Sequence, residues 1–301
     1  MIGVPVYRRT GSALHAARTA VGVAYCGALA LPVFLFESPL VLAFSLVALL
    51  AVGRRAHVGA ELARAAALAV PLALLVVAIN PLVSQQGLTV LVDGPIVPVL
   101  GNVDVTLEAL VYGAVAGLRV LVVILAFALY SACVDPDRVL RLVGRVAPRS
   151  ALTASLATRA VPLLGRDGRR LAEAYTLRAG VRPAERMRDR VERAATLTRA
   201  LGAGALERSV ELAASLEVRG YGALGRFPAG RSAWSRHDRS FALAAGTLVL
   251  LCAGARAAGL GAFDPYPLLH LAAAPADVAF AAALPLVALA PFGRRRRRSG
   301  A

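Results

Sequence analysis

Lysine is absent from this chain of 301 residues, so all 34 of its basic side chains belong to arginine. The phosphate-binding loop of a Walker-type ATPase needs a lysine that reaches the nucleotide phosphates. The chain therefore cannot be an ATPase of this type, and any ATP that drives it must be hydrolysed by another subunit. We expect a non-enzymatic chain with no catalytic residue and no cofactor.

Residues that bind metals or form disulfides are also few. The three cysteines, Cys26, Cys133 and Cys252, lie in or beside apolar runs and form no C-x-x-C pair, and the four histidines show no ligand spacing. Structural zinc sites and disulfide frameworks depend on such spacings. We therefore expect buried thiols and no metal site.

Long apolar runs dominate what is present. Hydrophobic residues make up 58% of the chain despite a formal net charge of +16, because the charges cluster between the runs. A run of about 20 residues can cross a hydrocarbon core of about 30 Å as a helix. The pattern predicts an all-α, polytopic membrane protein with about six transmembrane helices, and the short second run leaves five as an alternative. The predicted spans are 21–36, 40–52, 62–79, 107–133, 241–260 and 271–292.

The arginines alternate from one connection to the next. They occur in the N-terminus, the connection after the second span, the segment after the fourth span and the tail 294–298, whereas connections 37–39, 81–105 and 263–275 contain none. Because cytoplasmic loops are enriched in basic residues, we predict a multi-pass protein of the cell membrane with both termini in the cytoplasm. The arginine tail is then an anchor beside the bilayer, and no nucleic-acid partner is expected.

This pattern divides the chain into three predicted parts. Residues 1–133 contain transmembrane helices one to four, 134–239 a cytoplasmic region, and 240–301 the last two transmembrane helices with a basic cytoplasmic tail. The outer connection 80–105 has glycines and prolines around short β-branched pieces, which predicts a small hairpin or a re-entrant turn. Arg119 lies inside the fourth span, where it should face the bundle and pair with a carbonyl or polar group; a direct part in transport is the alternative.

Two long amphipathic helices are predicted in region 134–239. The sequence D-P-D at 135–137 starts a short helix, Pro148 ends it, and longer helices follow at about 150–177 and 184–219. Their apolar residues recur at helical spacing, but both segments are too polar to cross a membrane. We expect them to pack on each other, on the spans or on a partner.

The ends of these two helices share a pattern. They read E-A-Y-T-L-R-A-G at 173–180 and S-L-E-V-R-G-Y at 215–221, so that a small residue lies one turn before Arg178 or Arg219 and glycine follows within two positions. Glycine ends a helix through a left-handed cap, and the arginine can then bind a carboxylate or carbonyls of another protein. A single such ending would be explained by the preference of helix C-termini for a cation, but two endings favour a binding function.

The paired endings resemble the A-x-x-x-R-G and A-x-E-x-R-G signatures of the T component of energy-coupling factor (ECF) transporters, which includes cobalt-transport permeases. The likeness covers most of the chain. N-P-L at 80–82 with G-L-T-V-L at 87–91 resembles the family's N-x-L and G-T-x-L, and R-A-V-P-L-L at 159–164 resembles its R-F-L-P-L-L. S-L-E-V-R-G-Y-G at 215–222 is close to its A-M-E-A-R-G-Y-G.

The resemblance implies a transmembrane coupling subunit of an ECF-type ABC importer. Its implied partners are two ABC-type ATPase subunits, a substrate-binding membrane S component and the lipid bilayer, and the cargo is a vitamin or a metal ion. The implied ATPase-contacting residues are Ala174, Arg178, Ala179, Gly180, Ser215, Glu217, Arg219 and Gly220. Two positions depart from the signatures, since Ala179 replaces the first glycine and Ser215 replaces the second alanine.

Two other classes of protein compete with this interpretation. One is a permease or scaffold subunit of another ABC-type membrane complex, which would more often carry polar residues in several spans. The other is a membrane enzyme such as a prenyltransferase, which needs acidic residues one helical turn apart to hold Mg²⁺. Asp135 and Asp137 are only two positions apart and would face different sides of a helix.

Overall fold

A computed structural model describes residues 11–83, 90–92, 96–97, 101–102, 105–144, 147–177, 187–220, 233–261 and 274–293. The helices of this part are α1 (Ala13–Ala16), α2 (Thr19–Leu35), α3 (Pro39–Arg55), α4 (Gly59–Val83), α5 (Leu107–Cys133), α6 (Pro136–Val143), α7 (Pro148–Leu177), α8 (Met187–Val218), α9 (Arg236–Ala257) and α10 (Pro275–Leu289). A short 3-10 turn at Ala290–Phe292 follows α10.

Each predicted apolar run coincides with a helix. Among the described residues, four helices are long and apolar enough to cross a membrane: Gly59–Pro81, Leu107–Cys133, Arg236–Ala257 and Pro275–Phe292. Helices α2 and α3 are shorter, with 17 residues each. The predicted all-α, polytopic class is therefore confirmed, and the count of six spans stays a prediction.

The chain forms two compact units, Met1–Leu142 with Ala233–Ala301, and Val143–Ser232. The first unit contains the apolar helices, and the second contains α7 and α8. Helix α7 begins at Pro148, a residue that suits the first turn of a helix, and α8 begins at Met187, so both lie within a few residues of their predicted bounds.

Aromatic side chains join α2, α9 and α10 in the core of the first unit. The ring of Tyr25 meets that of Phe241 edge to face with centroids 5.1 Å apart, and the Tyr25 hydroxyl donates to the Ala288 carbonyl at 2.5 Å. Phe241 meets Phe292 in the same manner at 5.2 Å. Buried tyrosines need a partner for the hydroxyl, and this hydroxyl bonds to α10.

Helices α4 and α5 approach each other closely through glycine. A Cβ atom placed on Gly117 would lie 2.8 Å from both the Ala73 carbonyl oxygen and Val77 Cγ2, and one on Gly113 would lie 3.1 Å from the Val77 oxygen. Small residues at this spacing let membrane helices pack backbone to backbone.

In the connection between α4 and α5, the described residues form four short strands in two antiparallel pairs. Strand β1 (Val90–Val92) pairs with β4 (Val105–Thr106), and β2 (Ile96–Val97) pairs with β3 (Gly101–Asn102). The inner pair thus lies between the strands of the outer pair along the chain. This order agrees with the hairpin interpretation of the connection.

Candidate functional site

Helices α7 and α8 expose most of their surface. Within the described part of the chain, α8 contains no buried residue. It does carry a stripe of half-buried side chains, among them Leu197, Leu201 and Leu216, which recur at helical spacing. The two helices do pack on each other, as predicted, but only along this narrow stripe.

Contacts of several kinds join α7 to α8 in the part of the chain that the structure describes. Asp167 forms an ion pair with Arg208, and the guanidinium of Arg193 lies over the ring of Tyr175 at 4.8 Å from its centroid. Gly168 lies beside Leu201, since a Cβ atom on this glycine would be 3.5 Å from Leu201 Cδ1. Positions later in α7 meet positions earlier in α8, so the helices pass each other in opposite directions.

Helix α8 ends as the sequence predicts. Gly220 has a φ of +76°, in the left-handed region that favours glycine. Its N–H donates to the Glu217 carbonyl at 2.9 Å, and the Arg219 N–H donates to the Ser215 carbonyl at 3.2 Å. The left-handed glycine thus ends the helix at this point, with Arg219 in the turn that follows Val218.

The motif side chains at this helix end are exposed. Ser215, Glu217 and Arg219 are all exposed. The Ser215 hydroxyl donates to the Leu212 carbonyl at 2.8 Å. Its donor is therefore already used within α8, and Ser215 acts as a small residue on the helix surface. Arg219 forms no ion pair with any residue in the described part of the chain.

Only the beginning of the first motif can be placed. Ala174 is exposed in the last turn of α7, and α7 is described as far as Leu177. Arg178, Ala179 and Gly180 lie outside the described residues. Their assignment stays a prediction from the sequence.

Arg119 pairs as predicted for an arginine inside a span. Its Nη2 donates to the Phe36 carbonyl at 3.0 Å and lies 3.4 Å from Glu37 Oε1. Both partners belong to the connection between α2 and α3. Its Nε is buried and has no partner among the described residues. The contact favours the helix-packing interpretation of Arg119.

A polar cluster lies at the N-terminal end of α9, and the sequence did not predict it. Asp238 accepts from the backbone N–H of Arg18 at 2.7 Å and forms an ion pair with the Arg18 side chain at 3.4 Å. Ser235 and Asp238 also cap α9 reciprocally, and Trp234 lies 5.3 Å from the Arg18 guanidinium. The S-x-x-D spacing signals such a cap, but nothing in the sequence pairs it with Arg18.

A family model described as CbiQ, cobalt transport protein, matches residues 10–227, which is most of the chain. The chain belongs to this family. The matched segment begins before α1 and includes α7, α8 and the motif at Arg219. The CbiQ family is the T component family of ECF transporters, so the resemblance found in the sequence is confirmed. Among curated proteins no match is found. This CbiQ-family chain is thus a membrane component of a cobalt-type ECF transporter.

Proposed function

We propose that the chain is the transmembrane coupling subunit of an ECF-type ABC importer. In this function it passes the ATP-driven motion of two ATPase subunits to a substrate-binding S component that takes up a vitamin or a metal ion. The chain itself carries no catalytic group, and α7 and α8 lie in the cytoplasm. The observation that carries the proposal is the exposed, glycine-capped end of α8 with Arg219 at its tip.

The chemistry of this tip fits a protein partner. A guanidinium presents five donors in a fixed fork, which suits carboxylate and carbonyl oxygens in a groove. The left-handed conformation of Gly220 ends the helix next to Arg219, so the arginine lies at the tip of α8 rather than along its side. By the sequence repeat, Arg178 makes the equivalent contact with the second ATPase.

The length of α8 suits the transmission of motion. Its 32 residues correspond to about 48 Å of helix. A continuous helix moves as a rod, so a displacement at the tip is carried along its length. A change in the S component follows only if the nucleotide-bound and nucleotide-free ATPases hold these tips differently.

Replacing Arg219 with glutamate tests the proposal. We expect the affinity for the ATPase subunits to fall by at least about 30-fold, because a charge pair is replaced by a repulsion. ATP-dependent uptake should be lost while membrane insertion stays normal, since the side chain is exposed. Co-purification of the ATPases and cellular uptake of labelled cargo are the two measurements.

The matched control is Arg199→Glu. Arg199 is also exposed on α8 and has no ion pair among the described residues, so the same charge change at this position should leave both measurements unchanged. An Arg219→Glu complex that assembles and transports normally would show that the docking assignment is wrong.

A further inference from the structure

The ion pair between Asp167 and Arg208 lies at the crossing of α7 and α8. The side chains are 21% and 38% exposed, so the pair is partly shielded from water. Because no described residue of α8 is buried, the angle between the helices is not fixed by a hydrophobic core. Directional polar contacts therefore restrict it, and among the described residues of α7 and α8 this pair is the one that joins opposite charges.

The pair connects equivalent positions of the two helices. Asp167 precedes Arg178 by eleven residues, and Arg208 precedes Arg219 by eleven residues. The small residue of each motif, Ala174 or Ser215, follows the pair by seven. Along α8, eleven residues make about three helical turns and about 16 Å. The two members of the pair are therefore equally distant along the sequence from the motif arginines.

The two helix ends lie on opposite sides of this crossing. Tyr175, eight residues beyond Asp167, meets Arg193, fifteen residues before Arg208. The C-terminal end of α7 therefore extends along the N-terminal part of α8, and the end of α8 extends the other way. A rotation of about 10° at the crossing moves a point about 16 Å away by about 3 Å, which is enough to misplace a docking side chain.

We propose that Asp167 and Arg208 are a positioning pair that sets the crossing of α7 and α8, and thereby the placement of Arg219 relative to the C-terminal end of α7 for coupling. This inference rests on the proposed function. Partly exposed ion pairs contribute little to stability, so the pair can be removed without unfolding the helices. Its loss changes where the tips lie relative to each other.

Distance measurements on the full chain in lipid nanodiscs test the geometric part without any partner. Spin labels are placed on Thr176→Cys and Ala214→Cys, two exposed positions near the helix ends, with the three buried native cysteines replaced by alanine. We expect one narrow distance distribution in the parent chain.

The variants Asp167→Asn and Arg208→Gln should each broaden this distribution or shift it by several Å. The reversed pair, Asp167→Arg with Arg208→Asp, should restore it. The control Arg199→Gln should leave it unchanged.

Uptake measurements test the coupling part. Asp167→Asn and Arg208→Gln should lower ATP-dependent uptake about fivefold, at the low end of coupling effects, while the ATPases still co-purify. Single variants with the parent distance distribution, or with parent uptake, would overturn the inference. Failure of the proposed function would give a different result. The unmodified chain would then co-purify with no ATPase, even if the spin-label distances changed as expected.

Discussion

At the scale of single residues, the arginines of this chain have different functions that depend on the groups they contact. Arg119 is tied to a carbonyl and a carboxylate of the α2–α3 connection. Arg208 is tied to Asp167, whereas Arg219 has no ion pair among the described residues and lies at an exposed helix end. The same side chain is thus a packing contact in one place and a candidate docking group in another.

Replacing Arg119 with leucine should lower thermal stability. The variant loses a hydrogen bond from a charged donor, and such bonds in membrane helices contribute about 1–2 kcal/mol. Glu37→Gln should cost less, because Glu37 is 65% exposed in its side chain and the bond to the Phe36 carbonyl remains. Melting temperatures in detergent compare the variants. A large loss of uptake at unchanged melting temperature would instead indicate a direct part in transport.

At the scale of helices, the close packing of α4 against α5 requires a residue without a side chain at Gly117. Gly117→Val should destabilise the first unit by about 1–3 kcal/mol, because even its Cβ atom would lie 2.8 Å from the Ala73 carbonyl oxygen. Gly246→Val in α9 is the matched control, since nothing lies within 4 Å of a Cβ atom there. Thermal unfolding in detergent measures both. Equal melting temperatures for the two variants would contradict the close approach.

Helix positions could be predicted from the sequence, but the contacts between helices could not. Apolar runs and the glycine after Arg219 are local signals, and the structure has helices and a left-handed cap where they predict them. The partner of Arg208 lies 41 residues away and that of Arg119 lies 82 residues away. Such pairs depend on how two helices cross, which no local pattern specifies.

At the scale of the whole molecule, the proposed function requires α7 and α8 to lie in the cytoplasm. Ala213→Cys places a thiol at an exposed position of α8, and the native thiols are buried. We expect a membrane-impermeant maleimide to label it only after spheroplasts are lysed, because basic segments stay on the cytoplasmic side. Gln86→Cys, in the predicted outer connection, should be labelled in intact spheroplasts. Labelling of Ala213→Cys in intact spheroplasts would place α8 where no ATPase can reach it.

The contact of Arg119 with the α2–α3 connection also bears on the surrounding lipid. Arg119 lies near the middle of α5, a helix of 27 residues, whereas α2 and α3 have 17 residues each. These lengths correspond to about 40 Å and about 26 Å of helix. As spans, the short helices fall below the thickness of a hydrocarbon core of about 30 Å. Spans of these two lengths match hydrocarbon layers of different thickness, and such a mismatch is relieved by tilt of the long helix or by local thinning of the bilayer.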